Sequence, residues 1–246
     1  MKILCIDIGN TSTQFGVLED GVVLFSERVN THENAFCHAI ENALALPFEA
    51  VAYASVVPLV NAQLELSLQK TGLLLFQLTH EQCVGLTINY PRPEEVGQDR
   101  LASCIGAQKY YGSPTLVIDL GTAITLDFVT DGNVYTPGAI APGLSIMTDY
   151  FNEKTALLPR LFPQDLLYVP DSVTSTEDAM AIGCMIGFSG LIKALIEHAL
   201  KSQPSGMKVV ATGGSLKVIP KSWSIDIDYD PDLTLKGLEE AYLRFY

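Results

Sequence analysis

The 246-residue sequence predicts an α/β protein assembled from two similar halves. Three observations carry that expectation. Residues 3–17 (ILCIDIGNTSTQFGV) align without a gap with 115–129 (TLVIDLGTAITLDFV), with identities at Leu4/Leu116, Ile6/Ile118, Asp7/Asp119, Gly9/Gly121, Thr13/Thr125 and Val17/Val129. Any two strands share apolar residues, but agreement of the acid and the glycine in register points to duplication. Strand-like runs also alternate with helix-like segments in both halves, the pattern of α/β layers. Finally, Gly112, Ser113 and Pro114 punctuate the chain between the copies, so the halves are expected to span 1–112 and 113–246.

Each copy reads as strand, Asp-x-Gly turn, strand, Asp-Gly hairpin, strand, with a one-residue shift matching Asp20-Gly21 to Asp131-Gly132. Helices are expected near 34–46, 60–71, 100–111, 176–200 and 235–246. Asp99 is placed as an N-cap with Arg100 opening the third of these, and Thr174 and Glu177 have the spacing of a capping box before the fourth. The stretch 179–196 is the most apolar and about as long as a short membrane span. It carries Lys193 and the glycines Gly183, Gly187 and Gly190, and so reads as a buried helix with close backbone packing. Residues 209–214 (VVATGG) form a further strand running into glycines. Asp226, Asp228, Asp230 and Asp232 imitate the opening of a calcium loop, but Pro231 occupies the glycine position and Gly237 that of the bidentate glutamate. Alternation with Ile225, Ile227 and Tyr229 reads instead as a strand with one charged face.

Composition narrows the partners. With 48% apolar residues the chain has ample material for a core. A formal charge of -13 and a pI near 4.6 leave no electrostatic footprint for nucleic acid or an anionic membrane. Any anionic ligand must then be held by local geometry and metal ions. The cysteines Cys5, Cys37, Cys83, Cys104 and Cys184 are odd in number and never form a CxxC pair, and the four histidines are scattered. Reduced thiols in a cytoplasm fit this better than a disulfide framework or a zinc site. The N-terminus lacks the basic start and long apolar run of a signal peptide, so a cytoplasmic protein is expected.

The two repeated turns have the chemistry of a phosphate site. Each puts a carboxylate at a strand end, then a glycine, then small hydroxyl or amide side chains: Asn10, Thr11, Ser12 and Thr13 in one copy, Thr122 and Thr125 in the other. Main chain beside glycine approaches phosphate oxygens closely, while hydroxyls and N–H groups donate to them. A carboxylate there repels phosphate, and its natural task is to hold a hard cation directly or through water. There is neither a GxxxxGK[ST] loop nor a GxGxxG fingerprint. Between the hairpins, Asp99 and Arg100 follow Gly97 and Gln98. Locally they read first as a helix cap with a solvated arginine, and second as a proton acceptor beside an anion binder.

The order of these elements resembles the phosphate, phosphate and adenosine segments of the actin, sugar-kinase and heat-shock-chaperone ATPases, whose fold has duplicated ribonuclease-H-like domains with the nucleotide cleft between them. The set Asp7-Ile8-Gly9-Asn10-Thr11, Ala54-Ser55-Val56-Val57-Pro58, Tyr90, Gly97-Gln98-Asp99-Arg100, Asp119-Leu120-Gly121-Thr122, Gly138-Ala139-Ile140-Ala141-Pro142-Gly143, Ser175-Thr176 and Ala211-Thr212-Gly213-Gly214 resembles type III pantothenate kinases along essentially the whole chain. That resemblance implies transfer of phosphate from ATP to pantothenate at the first step of coenzyme A biosynthesis. It also implies a homodimer, with magnesium and a monovalent cation, potassium or ammonium, as cofactors. Residue by residue, it implies that Asp7, Ile8, Gly9, Asn10, Thr11, Ser12, Thr13, Gln14 and Thr122 contact ATP, with Asp7 serving magnesium through water and Asp119 binding the monovalent cation. Tyr90, Gly97, Gln98, Asp99, Arg100 and Thr176 would form the pantothenate pocket, with Asp99 as general base. Gln98 and Pro137 depart from the family pattern, which often has alanine and glycine at these positions. Another small-molecule kinase or phosphatase of the superfamily would give the 97–100 turn no role. A non-catalytic accessory protein is the alternative from a different class.

Overall fold

The computed structural model describes every residue except 33, 70, 71, 167, 205, 217–222 and 224. Its first sheet is built outward from β1 (Ile3–Ile8), which pairs antiparallel with β2 (Ser12–Glu19) and parallel with β4 (Ala50–Ser55). β3 (Val22–Asn30) and β5 (Leu75–Gln77) complete the order β3-β2-β1-β4-β5. Because side chains alternate along a strand, β1 serves two layers. Leu4, Ile6 and Ile8 pack with Phe15 and Val17 against Phe36, Ala39 and Ile40 of α1 (Asn34–Leu44) and Val60, Leu64 and Leu68 of α2 (Pro58–Gln69). Pro58 opens α2, where its missing N–H costs nothing. The end of the helix expected at 60–71 lies outside the described residues at 70 and 71.

The opposite face of β1, with Ile3, Cys5 and Asp7, meets α6 (Leu233–Phe245), while α3 (Gln98–Tyr111) packs on α6 and β4. These two helices meet backbone to backbone. A Cβ on Gly237 would lie 1.8 Å from the Ala102 carbonyl oxygen and one on Gly106 2.6 Å from that of Leu233, so neither position admits a side chain. The second sheet has the order β11-β10-β7-β8-β9-β6, from β6 (Thr87–Ile88), β7 (Thr115–Leu120), β8 (Ala123–Thr130), β9 (Val134–Pro142), β10 (Lys208–Thr212) and β11 (Asp228–Tyr229). α4 (Leu144–Lys154) and α5 (Thr176–Leu200) follow β9. The chain divides into two compact units, one of Met1–Val117, Asp127–Pro137 and Asp232–Tyr246, the other of Ile118–Leu126 and Gly138–Pro231.

Several local expectations shift. The duplicated hairpins are present as β1-β2-β3 and β7-β8-β9. The first turns through Asp20 and Gly21, at φ 53° and 79°, the two-residue turn that suits strand twist. The second places its positive φ angles at Gly132 and Asn133, one residue later, because its loop is longer. Asp99 is not the N-cap of α3: the helix opens at Gln98 with Gly97 as cap, and Asp99 sits inside the first turn. The capping box of α5 is Ser175 with Asp178, one residue beyond Thr174 and Glu177, since Thr176 is already helical. Asp178 Oδ2 also accepts from the Thr174 backbone and hydroxyl, at 2.9 and 2.7 Å. α5 is not buried all round. Met180, Cys184, Phe188, Ile192 and Ile196 face the core, whereas Gly183, Gly187 and Gly190 lie on an open face with no neighbour within 4 Å of a Cβ. Finally, only Asp228 and Tyr229 of the acidic run form a strand, and Asp230 is buried where its N–H meets the Ala211 carbonyl at 2.9 Å.

Candidate functional site

In the first unit, β1 ends at Asp7 and Ile8 and turns through Gly9, whose N–H donates to the Ser12 carbonyl at 3.1 Å. A Cβ at Gly9 would lie 2.9 Å from that same oxygen, so the turn is tight enough to need glycine. Asn10 and Thr11 at its tip are exposed. Thr31, at the end of β3, fastens it from behind: its N–H donates to Thr11 at 3.0 Å and its hydroxyl to the Gly9 carbonyl at 2.8 Å, with the buried Thr13 hydroxyl 3.0 Å from the Thr31 hydroxyl. The turn therefore presents backbone and short polar side chains from a braced base. Asp7 pairs in register with Gln14 and so shares its face of the sheet.

Gln14, expected to contact nucleotide, has its amide engaged inside the protein. Nε2 donates to Ser26 Oγ at 3.1 Å and Asp232 Oδ1 at 2.9 Å, and Oε1 accepts from Arg28. Arg28 also reaches Ser12 Oγ at 3.3 Å and is exposed. No pattern in the sequence singles out Arg28, which is one alternate residue of a half-buried strand.

The start of α3 carries four of the expected substrate residues, Gly97, Gln98, Asp99 and Arg100. Asp99 Oδ1 accepts from the Arg100 N–H at 2.8 Å, and burial pushes its carboxyl above the usual aspartate range despite that bond and the adjacent guanidinium. Gln98 reaches back with Oε1 to the Ser55 N–H at 2.9 Å, tying the α3 N-terminus to the end of β4. Arg100 turns to β8, donating from Nε to Asp127 Oδ2 at 2.9 Å and from Nη2 to Oδ1 at 2.5 Å. The Tyr135 hydroxyl of β9 donates to the same Oδ1 at 2.8 Å. Burial works against the Arg100 charge, but the Asp127 bridge more than offsets it and holds the guanidinium protonated. Burial, and then the Asp127 charge, push the Tyr135 phenol up. Tyr90 follows directly on the segment paired with β9, in which Ile88 lies beside Tyr135 and the Asn89 N–H donates to the Tyr135 carbonyl at 2.9 Å.

Asp127 and Tyr135 lie outside the residues that sequence reasoning selects. One signal does mark the first of them: in the internal repeat Asp127 stands opposite Phe15, a charge where the other copy has a core aromatic.

In the second unit, Asp119 closes β7 as Asp7 closes β1. Gly213, at φ 98°, passes so near that a Cβ there would lie 2.4 Å from Asp119 Oδ1 and 2.6 Å from the Leu120 backbone. Thr122 follows in the turn, where its carbonyl accepts from the Gly143 N–H at 3.0 Å, and Gly143 is the N-cap of α4. The strand-to-glycine segment at 209–214 is therefore placed against the second acidic turn by the lack of a side chain at Gly213. Thr176 is the first residue of α5 and exposed.

The family model described as type III pantothenate kinase matches residues 3–198. A type III pantothenate kinase from Akkermansia muciniphila is 39% identical over 248 residues, covering 98% of each chain. One from Methylacidiphilum infernorum is 36% identical over 242 residues, covering 96% of this chain and 86% of that one. Among solved structures, a Baf family protein from Campylobacter jejuni superposes with a TM-score of 0.61 at 21% identity, covering 98% of this chain and 97% of that one. A ROK family glucokinase from Streptomyces griseus gives 0.55 at 15% identity, with 99% of each covered. At such identities the likeness concerns the fold alone, that of the actin-like ATPases.

Proposed function

The chain belongs to the type III pantothenate kinase family, and from that premise we infer that it transfers the terminal phosphate of ATP to the hydroxyl of pantothenate in coenzyme A biosynthesis. Within the molecule, the observation that supports this chemistry is the buried carboxyl of Asp99, held above its ordinary range beside a protonated arginine. A primary alcohol is a weak nucleophile until its proton has an acceptor. Asp99 takes that proton as the alcohol oxygen bonds to the γ-phosphorus, and the bond to the departing ADP oxygen breaks. Tyr90, Gly97, Gln98, Arg100 and Thr176 are assigned to pantothenate. Asp7 through Gln14 and Thr122 are assigned to ATP, Gln14 by its backbone because its amide is occupied.

Among the described residues no group of three or more His, Cys, Asp or Glu side chains could hold a metal. One carboxylate completed by water and nucleotide phosphates is the donor set magnesium favours, which fits Asp7 at the first turn. Bound there, magnesium would neutralise phosphate charge that a chain of net charge -13 does little to offset. Asp119, duplicating Asp7 beside the bare backbone at Gly213, is assigned to potassium or ammonium. The open glycine face of α5 supports a homodimer, and reduced, unpaired cysteines support a cytoplasmic setting. The paired hairpins support 1–112 and 113–246 as the duplicated domains.

A steady-state assay of ADP release with ATP and magnesium tests the reading. Release should depend on pantothenate, not on glucose or acetate, and should fall when lithium replaces potassium. Turnover with a sugar and none with pantothenate would overturn the assignment.

A further inference from the structure

The ion pair of Arg100 with Asp127 has side chains only 12% and 2% exposed, and no other pair among the described residues is as buried. Burying a carboxylate is expensive, and replacing a buried pair by apolar groups of similar size is often neutral or stabilising. Phe15 at the repeat-equivalent position, itself 0% exposed, shows what the strand accommodates when only packing is at stake. The charge at 127 therefore calls for a reason beyond stability.

The geometry supplies one. Asp127 takes Nε and Nη2 of Arg100, leaving Nη1 outside the bridge, and is itself braced by the Tyr135 hydroxyl. Asp99, one residue earlier, is met by the backbone N–H of Arg100. A guanidinium released from β8 would be free to swing onto its neighbouring carboxylate, and a carboxylate clamped by arginine is a poor proton acceptor. The charged groups acting on Asp99 are Arg100 on α3 and Asp127 on β8, and Arg100 is flanked in turn by Cys104 on α3 and Tyr135 on β9. Burial pushes both the Cys104 thiol and the Tyr135 phenol up, so both stay neutral and the local charge is set by two carboxylates and one guanidinium.

We propose that Asp127 is a positioning residue for phosphoryl transfer: with Tyr135 it holds the Arg100 guanidinium off Asp99, keeping that carboxylate a free base while Nη1 remains available to the substrate. The assignment rests on the pantothenate kinase reading. Asp127→Asn should lower kcat at least about tenfold, part of the ~10²–10⁴ that a positioned base contributes. It should also move the acid limb of the kcat profile to lower pH, because the unneutralised Arg100 charge favours ionised Asp99. KM for pantothenate should rise while KM for ATP changes little. Tyr135→Phe, which removes one hydroxyl and keeps the ring, should shift the limb in the same direction by less, and it decides the matter where Asp127→Asn does not fold. Asp127→Glu should recover part of the loss. Variants that lose only melting temperature, with the wild-type acid limb and KM, would overturn this role while leaving the kinase reading intact. A wild-type chain inert toward pantothenate would overturn both.

Discussion

A carboxyl raised by burial is a stronger base once ionised, and Asp99 joins that property to a backbone anchor at the Arg100 N–H. Because the base must be ionised to accept a proton, kcat should fall tenfold per pH unit below an acid limb that lies above the ordinary aspartate value of about 3.9. Asp99→Asn keeps an oxygen for the Arg100 N–H, so the melting temperature should barely move. The amide cannot take the proton, and kcat should drop at least about a hundredfold with the limb abolished. Turnover within a few-fold of wild type would leave the carboxylate a helix-terminal anchor, with the proton passing to water or phosphate. The local sequence alone favours a helix cap at this place, and the base enters the expectation only through the family resemblance of Gly97, Gln98, Asp99 and Arg100. What the sequence does not show is where Arg100 points, because its partner lies 27 positions away on strand β8.

Among elements, the α3 N-terminus depends on the side chain of Gln98. Gln98 Oε1 accepts from the Ser55 N–H at 2.9 Å, and Ser55 is only 7% exposed. Gln98→Ala strips a buried N–H of its acceptor, a loss of about 1–3 kcal/mol. Denaturant titration should register that loss, and KM for pantothenate should rise more than kcat falls as the turn loosens. Unchanged stability would mean that Ser55 finds another acceptor. The β-α order, the repeat and the extent of α5 are readable from periodicity, and the first hairpin turn from Asp20-Gly21. The shifted caps at Gly97 and Ser175 are harder, because neighbouring polar residues offer equivalent cap chemistry and only backbone angles choose among them. The open face of α5 runs against the sequence expectation for a related reason: glycine marks close packing and empty space alike.

The first unit is closed by its last helix. Glu239 of α6 accepts from the Gly21 N–H at 2.8 Å across 218 positions, and its side chain is buried with no hydrogen-bond partner for Oε1 among the described residues. Burial, ahead of the neighbouring acids, raises its carboxyl above the ordinary glutamate range. Between the unfolded value and the raised one the native chain binds more protons, so stability falls as pH rises through that window. Glu239→Gln keeps an acceptor for Gly21 and removes the titration. Its melting temperature should vary less than the wild type's as pH rises from the ordinary glutamate value of about 4.3, and parallel curves for the two proteins would assign the dependence elsewhere.

The reach of α6 also bears on how the chain acquires its shape during synthesis. The helix that covers one face of β1 and β2 lies at 233–245, so the ribosome delivers it after everything it packs upon. Until then Ile3, Cys5 and Gly16 have no partner layer, and the Gly106 surface of α3 waits for Gly237. Contacts of such sequence separation form slowly because the intervening loop must close first. The amino-terminal unit is thus first to emerge and among the last to finish, and the nascent chain must spend that interval with an apolar sheet face open to chaperones or to aggregation.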